Sequence, residues 1–237
     1  VVSKTVVITQ SNYLPWRGYF DLLRSADEVV LLESVQYTRR DWRNRNIIKT
    51  PQGTEWLTVP VETKGKYFQT IDETRIASSE WTRTHRKAIE LAYRNARFYE
   101  EVAPWIFGLF EGVATEQYLS AVNERFIRAI CDRLGIDVSI RRCTDILPRG
   151  TLRDLEGTER LVALAKETAA THYLSGPAAQ AYLSIDRFHA EGIEVEWMDY
   201  GGYPPYPQLW GEFAARVSVV DLLLNTGAEA PRYLAKQ

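Results

Sequence analysis

Residues 5 to 20 read Thr-Val-Val-Ile-Thr-Gln-Ser-Asn-Tyr-Leu-Pro-Trp-Arg-Gly-Tyr-Phe, and this stretch decides the fold class. The β-branched run from Thr5 to Thr9 has restricted χ1 rotamers and suits a pleated strand. It enters an aromatic loop, Ser11 to Phe20, followed by a short helical pattern from Asp21 to Ala26 and a second apolar run from Glu28 to Leu32. A segment dense in Arg and Asn comes next. The order reads as strand, functional loop, helix, strand, basic loop. Ligands of α/β sheets sit at the carboxyl ends of the strands. The loops after Gln10 and Leu32 are therefore expected to open on one crevice.

Working outward, Trp56 to Val61 reads as a strand stopped by Pro60 or carried at an edge, with Gln69 to Asp72 as a short partner. From Ser79, Trp81, His85, Ile89 and Ala92 recur at helical spacing, with Ser78 or Ser79 as N-cap. Further helices are expected from Phe98 to Phe110 and from Gln117 to Leu134, the last closed by Gly135. A second α/β portion starts at Val138 to Arg141. It continues with a helix from Arg160 to Ala169 capped near Thr158, a strand from His172 to Ser175, a small helix from Pro177 to Ile185, a strand from Glu194 to Met198 and a terminal helix from Ser218 to Leu224. The whole predicts a single α/β domain over 1–237, mainly a parallel sheet flanked by helices, with a mainly helical insertion at about 79–134.

At 237 residues and 45% hydrophobic content the chain can bury a full core, and its net charge of −2 argues against a general nucleic-acid or membrane-surface binder. No apolar run is long enough for a membrane helix and no signal-peptide pattern opens the chain, so a cytoplasmic location is expected. The 2 cysteines do not suggest a disulfide framework. Cys131 falls in an apolar helical pattern, and Cys143 follows Arg141 and Arg142 and is expected at the surface or in packing.

Candidate chemistry concentrates in a few places. Asn12, Tyr13, Trp16, Arg17 and Tyr19 crowd the first loop, where aromatic faces beside free N–H groups at a helix start suit a nucleotide or nucleotide-sugar. The layout is also similar to the phosphate-binding turn of nucleotidyltransferase-like folds. That turn normally carries paired histidines, and no His lies between residues 1 and 84. Residues 36 to 49 hold four Arg and one Lys, and the planar fork of Arg pairs bidentately with phosphate; Arg43, Asn44 and Arg45 are expected to hold it. Ser175 ends a strand before Gly176 and forms either a phosphate nest or a helix N-cap. Asp221 sits on an otherwise apolar helix as a buried brace or a site residue. No Cys or His spacing fits a metal site, and neither metal nor cofactor is expected.

Gln10, Tyr13, Pro15-Trp16, Gly18-Tyr19-Phe20, Gln36 and Asn44-Arg45-Asn46 together resemble the start of the WbqC-like family. The likeness continues through His85, Tyr93, Ala96, Tyr173 to Gly176, Tyr206, Gln208, Ser218, Asp221 to Leu223 and Asn225. Ser11 departs from the usual Pro, and Glu33-Ser34 from a common pair of acids. This bacterial family is usually met in gene clusters for O-antigen and other glycans, and sometimes for natural products. The resemblance adds Gln10, Gln36, Tyr206 and Gln208 to the candidate binding set and makes His85 the first choice of general base, since a free imidazole titrates near pH 6.5. The expected function is transfer of an acyl or aminoacyl group from a thioester carrier, with an acyl carrier protein as partner, to an amino group of a phosphorylated small molecule such as a nucleotide-sugar. The alternatives are a non-catalytic binding or assembly protein of such a pathway and, after that, a nucleotidyltransferase or ATP-dependent ligase.

Overall fold

A computed structural model describes residues 3–234. The opening run forms β1 (Thr5–Thr9). Helix α1 (Arg17–Arg24) follows, beginning at Arg17 rather than at Asp21. Gly18 weakens the local helix signal, but residues 17 to 23 are all buried, and that packing sets the earlier start. Next comes β2 (Glu28–Leu31), parallel to β1.

The basic segment is not all loop. Its second half is β3 (Arg45–Thr50), paired antiparallel with β4 (Gly53–Thr58). The partner strand expected at Gln69 to Asp72 reduces to an isolated bridge between Gln36 and Thr70. Three helices follow: α2 (Glu80–Tyr93), α3 (Tyr99–Gly112) and α4 (Leu119–Leu134). Gly135 closes the last with a left-handed φ of 67°, as a glycine C-cap does. The chain then forms β5 (Ser139–Arg142), an unanticipated α5 (Arg149–Asp154), α6 (Gly157–Glu167) and β6 (His172–Ser175). A 3-10 turn over Pro177–Ala181, α7 (Ile185–His189), β7 (Glu194–Trp197) and α8 (Val219–Thr226) complete it. Helix α6 is preceded by Glu156 and has no side-chain cap, whereas the Ser218 hydroxyl caps α8 by accepting from the Val220 N–H.

The main sheet has five strands in the order β5-β2-β1-β6-β7, all parallel. Its side chains alternate between two cores. Val7, Val29 and Leu31 face the larger one, built with α1, α2, α3, α4 and α8. Val6, Ile8, Val30 and Leu32 face the smaller one, with Leu161, Leu164 and Phe188. Burial on both faces is why β1 and β2 read as unbroken apolar runs. The chain winds outward from β1 in one direction to β2 and β5 and in the other to β6 and β7, so the strand order reverses between β1 and β6. That reversal is the switch point where an open α/β sheet leaves a crevice.

The loop from β1 to α1 is pinned from three sides. Asn46 Nδ2 donates to the carbonyls of Tyr13 at 3.0 Å and Leu14 at 2.8 Å, and the Ser218 hydroxyl donates to Leu14 O at 2.8 Å. The Tyr13 N–H reaches Trp42 O, and the Val219 N–H reaches Pro15 O. Leu14 holds a φ of 41°, which a side-chain-bearing residue adopts only under such restraint. Asn46→Ala strands the buried Tyr13 carbonyl and is expected to cost about 2 kcal/mol, read as a lowered urea midpoint with an unchanged m-value.

Candidate active site

The switch point holds a cavity of about 400 Å³. Thr9 and Gln10 line it from the end of β1, Ser175 and Gly176 from the end of β6, Arg43 from the segment before β3 and Arg160 from the first turn of α6. Gly157, the first residue of α6, also lines it, which sets a helix N-terminus at the wall. Exposed N–H groups and the helix dipole there favour an anion. Arg160 is committed elsewhere, donating from Nε to Leu152 O at 2.7 Å and from Nη2 to Leu155 O. Arg43, the other cation of the wall, is also paired, with Nε and Nη2 each 3.4 Å from Asp41 Oδ2; those two bonds are the longer ones, and a ligand phosphate can replace Asp41 there.

A second cavity, of about 460 Å³, opens beside the first. Trp16, Trp42, Tyr200, Tyr203 and Phe213 wall it, with Asn12, Arg17, Asn46 and Arg216 as its polar lining. The two hollows meet at one hydrogen bond: Arg43, on the crevice wall, donates from Nη1 to Oδ1 of Asn12, on the aromatic wall, at 2.6 Å. Two adjoining cavities thus replace the single crevice expected from the sequence. A hollow of about 660 Å³ lies elsewhere, between the β3–β4 turn and α2, and includes none of the predicted site residues.

Glu33, two residues beyond β2, is the acid the sequence reading did not select. It is 4% exposed. Its Oε1 accepts the Ser11 N–H at 2.8 Å, and its Oε2 has no partner among the described residues. Burial raises its pKa to about 7; hydrogen bonds from Ser11 and the charge of Arg43 oppose the shift, and Asp72 adds to it. Asn123 donates from Nδ2 to Ser11 Oγ at 3.1 Å and to Arg43 O at 2.9 Å, and its own Oδ1 is buried without a partner among the described residues. Ser11 links Gln10 of the crevice to Asn12 of the aromatic cavity. Glu33 therefore sits behind the boundary between them.

Gln10, Arg43 and Ser175 reach the crevice, and Asn12 and Trp16 the aromatic cavity. Tyr19 lies just behind, donating from its hydroxyl to Gln10 O at 3.2 Å. Ser175 is not a helix cap, because Gly176 occupies that position; its hydroxyl accepts from Tyr173 at 3.3 Å. Cys143 is fully buried against Ser34 and not at the surface.

The remaining predicted residues are elsewhere. A general base at His85 does not fit its placement. The ring is 4% exposed in the main core, bonded through Nδ1 to the Tyr13 hydroxyl at 2.7 Å and through Nε2 to Thr58 O at 3.2 Å. Desolvation lowers its pKa to about 4. Tyr13 is correspondingly a core residue, packed on Trp81 and Phe126. Asn44 braces the hairpin by donating to Val59 O. Arg45 turns outward to stack over Trp56, 4.0 Å from the ring centroid, and so misses the crevice. Gln36 donates to Tyr67 O on an exposed loop. Asp221 is a buried brace, accepting from Tyr93, Tyr206 and Gln208, each at 2.8 Å. Tyr206 and Gln208 are consumed in that network and do not line either cavity.

A doubly wound parallel sheet with a polar crevice at its reversal point makes this an α/β protein with a candidate ligand site at the switch point. The chain belongs to the WbqC-like protein family, whose model matches residues 10–233. It is similar to the uncharacterized protein Rv1507c of Mycobacterium tuberculosis, at 47% identity over 233 residues, covering 98% of this chain and 97% of that protein. No solved structure matches it. Among the described residues no group of three His, Cys, Asp or Glu is placed to hold a metal ion, and no helix is long and apolar enough to cross a membrane.

The His85 placement has a consequence for stability. Its folded pKa, about 4, lies below the free imidazole value, so only the unfolded chain takes up this proton between roughly pH 6.5 and 4. Stability is present above that window and falls through it as pH drops. His85→Gln, which carries no titrating ring, is expected to lose about 3 kcal/mol less than the parent between pH 7.5 and pH 4, measured by urea denaturation at each pH.

Proposed function

We propose that the protein is a group-transfer enzyme that holds a phosphorylated small molecule in the switch-point crevice and a second reactant in the aromatic cavity. The reaction we infer is acyl or aminoacyl transfer from a thioester carrier to an amino group, in glycan or natural-product biosynthesis. One observation carries this reading: the Arg43–Asn12 hydrogen bond is the only side-chain bond among the described residues that joins the lining of one cavity to that of the other.

Phosphate bound at the mouth of α6 and on Arg43 fixes one reactant against the strand ends. The amine nitrogen then attacks the thioester carbonyl, a C–N bond forms, the C–S bond breaks and the thiolate leaves. The proton released by the amine leaves to solvent; Glu33, 4% exposed and lining neither cavity, holds Ser11 at the boundary between them and is a positioning residue. The glycan or natural-product setting rests on the family resemblance.

Amide formation from acyl carrier thioesters and amino-sugar nucleotides, followed by mass spectrometry, tests the proposal. Arg43→Ala is expected to raise KM for the nucleotide about tenfold or more with a smaller change in kcat, as loss of a charge-assisted bond should. Glu33→Gln keeps an oxygen to accept the Ser11 N–H and should leave kcat within about threefold of the parent; a loss of about 10²-fold or more, with a titration near pH 7 removed from the pH profile, would instead make Glu33 the base. Binding of both reactants without product, across donor and acceptor pairs, assigns the protein to the non-catalytic alternative.

A further inference from the structure

Arg17 is the first residue of α1 and is 4% exposed, yet among the described residues it forms no ion pair. The nearest acid on its own helix is already occupied: Asp21 Oδ1 takes Arg24 Nε at 2.6 Å, and Oδ2 accepts the Tyr203 hydroxyl at 2.5 Å. Arg17 Nη1 donates to Pro204 O at 2.7 Å and Tyr233 O at 3.3 Å, which fixes one end of the guanidinium. Its Nε is buried without a partner among the described residues, and Nη2 donates to none of their atoms. The ring faces of Tyr203, Tyr206 and Phe213 lie 5.0, 5.3 and 5.7 Å from its central carbon. These rings offer partial compensation by cation–π attraction but no hydrogen-bond acceptor. A charge taken out of water is normally paired, because its desolvation is otherwise uncompensated.

This guanidinium lines the aromatic cavity, whose lining contains no acidic side chain. Two further donors converge there. Asn12 spends its Oδ1 on Arg43, which leaves its amide N–H groups, and Arg216 is exposed at the rim. Trp16 and Tyr200 meet edge to face at 5.3 Å and supply flat apolar surface. Gly18 keeps that wall in place, since a Cβ there would come within 2.3 Å of the Trp16 ring. We infer that the aromatic cavity is a binding site for a ring-bearing carboxylic acid, with the carboxylate on the Nε–Nη2 edge of Arg17 and the ring against Trp16 and Tyr200. A carboxylate matches that edge with two parallel N–H···O bonds. In the transfer reading above this ligand is the acyl group of the thioester, which then carries a free carboxylate besides the carbonyl bonded to sulfur; the assignment otherwise stands on Arg17 alone.

The test uses the full chain and two acid–amide pairs, benzoate with benzamide and glucuronate with glucuronamide, which separate an aromatic acid from a sugar acid. At least one acid is expected to bind tenfold or more tightly than its neutral amide, and to shift the indole N–H signals of Trp16 and Trp42 but not of Trp105. In Arg17→Gln the preference for the acid should shrink to less than twofold. That variant also loses the bonds to Pro204 and Tyr233, so the indole shifts and the acid–amide ratio of the unaltered protein stand as the independent readout. Equal affinity for acid and amide in both pairs, no binding of either acid, or unmoved Trp16 and Trp42 signals overturns the inference. Binding of uridine diphosphate, compared in the parent and Arg43→Ala, is measured alongside. Loss of acid selectivity with Arg43-dependent diphosphate binding intact sinks this inference alone, and the reverse result sinks the transfer reading alone.

Discussion

The side-chain amide of Asn46 holds the carbonyls of Tyr13 and Leu14, and the site depends on that clamp. It fastens the β1–α1 loop to the hairpin, while Ser218 fastens the same loop to α8. Leu14 can keep its left-handed backbone only because these bonds offset a strain of roughly 1–2 kcal/mol. With Leu14 fixed, Asn12 and Trp16 have one position each: the first touches Arg43, the second walls the aromatic cavity. The hairpin residue supplying the amide belongs to the segment whose arginines looked like phosphate ligands. Most of that segment is a structural tie, and Arg43 is the member that turns toward the crevice.

Polar satisfaction divides the molecule. Asp221 receives three hydrogen bonds at 2.8 Å and welds α2, α8 and the 206–208 segment together. Glu33 Oε2, Asn123 Oδ1 and Arg17 Nε, which surround the β1–α1 loop, are buried with no partner among the described residues, as are Asn44 Oδ1, Arg45 Nε and Gln69 Oε1. Leaving such groups unpaired costs about 1–3 kcal/mol each.

The parallel sheet was legible because β1 and β2, buried on both faces, carry unbroken apolar runs, and β6 ends at a glycine where a strand should stop. The lining of the candidate site was legible in part: Gln10, Asn12, Trp16, Arg43 and Ser175 all reach one or other cavity. The hairpin was hidden because charge density at Arg43, Arg45 and Lys49 masks the strand from Arg45 to Thr50. His85 was misplaced although its signal was present, since Trp81, His85, Ile89 and Ala92 form one stripe and the stripe is core. Arg17 and Glu33 gave no comparable warning. Their burial is imposed by Tyr203 and Phe213 in one case and by Ser11 and the α4 side in the other, and such distant contacts leave no trace in local spacing.

The central claim is that the clamped loop and Arg43 form an anion-holding crevice at the reversal point of the sheet. A crystal structure of the protein with inorganic pyrophosphate tests it most directly. The account predicts the anion between the ends of β1 and β6, within hydrogen-bond distance of Arg43 and the first turn of α6. Pyrophosphate found instead on the outer side of the hairpin at Arg45, with the crevice holding only water, would contradict it.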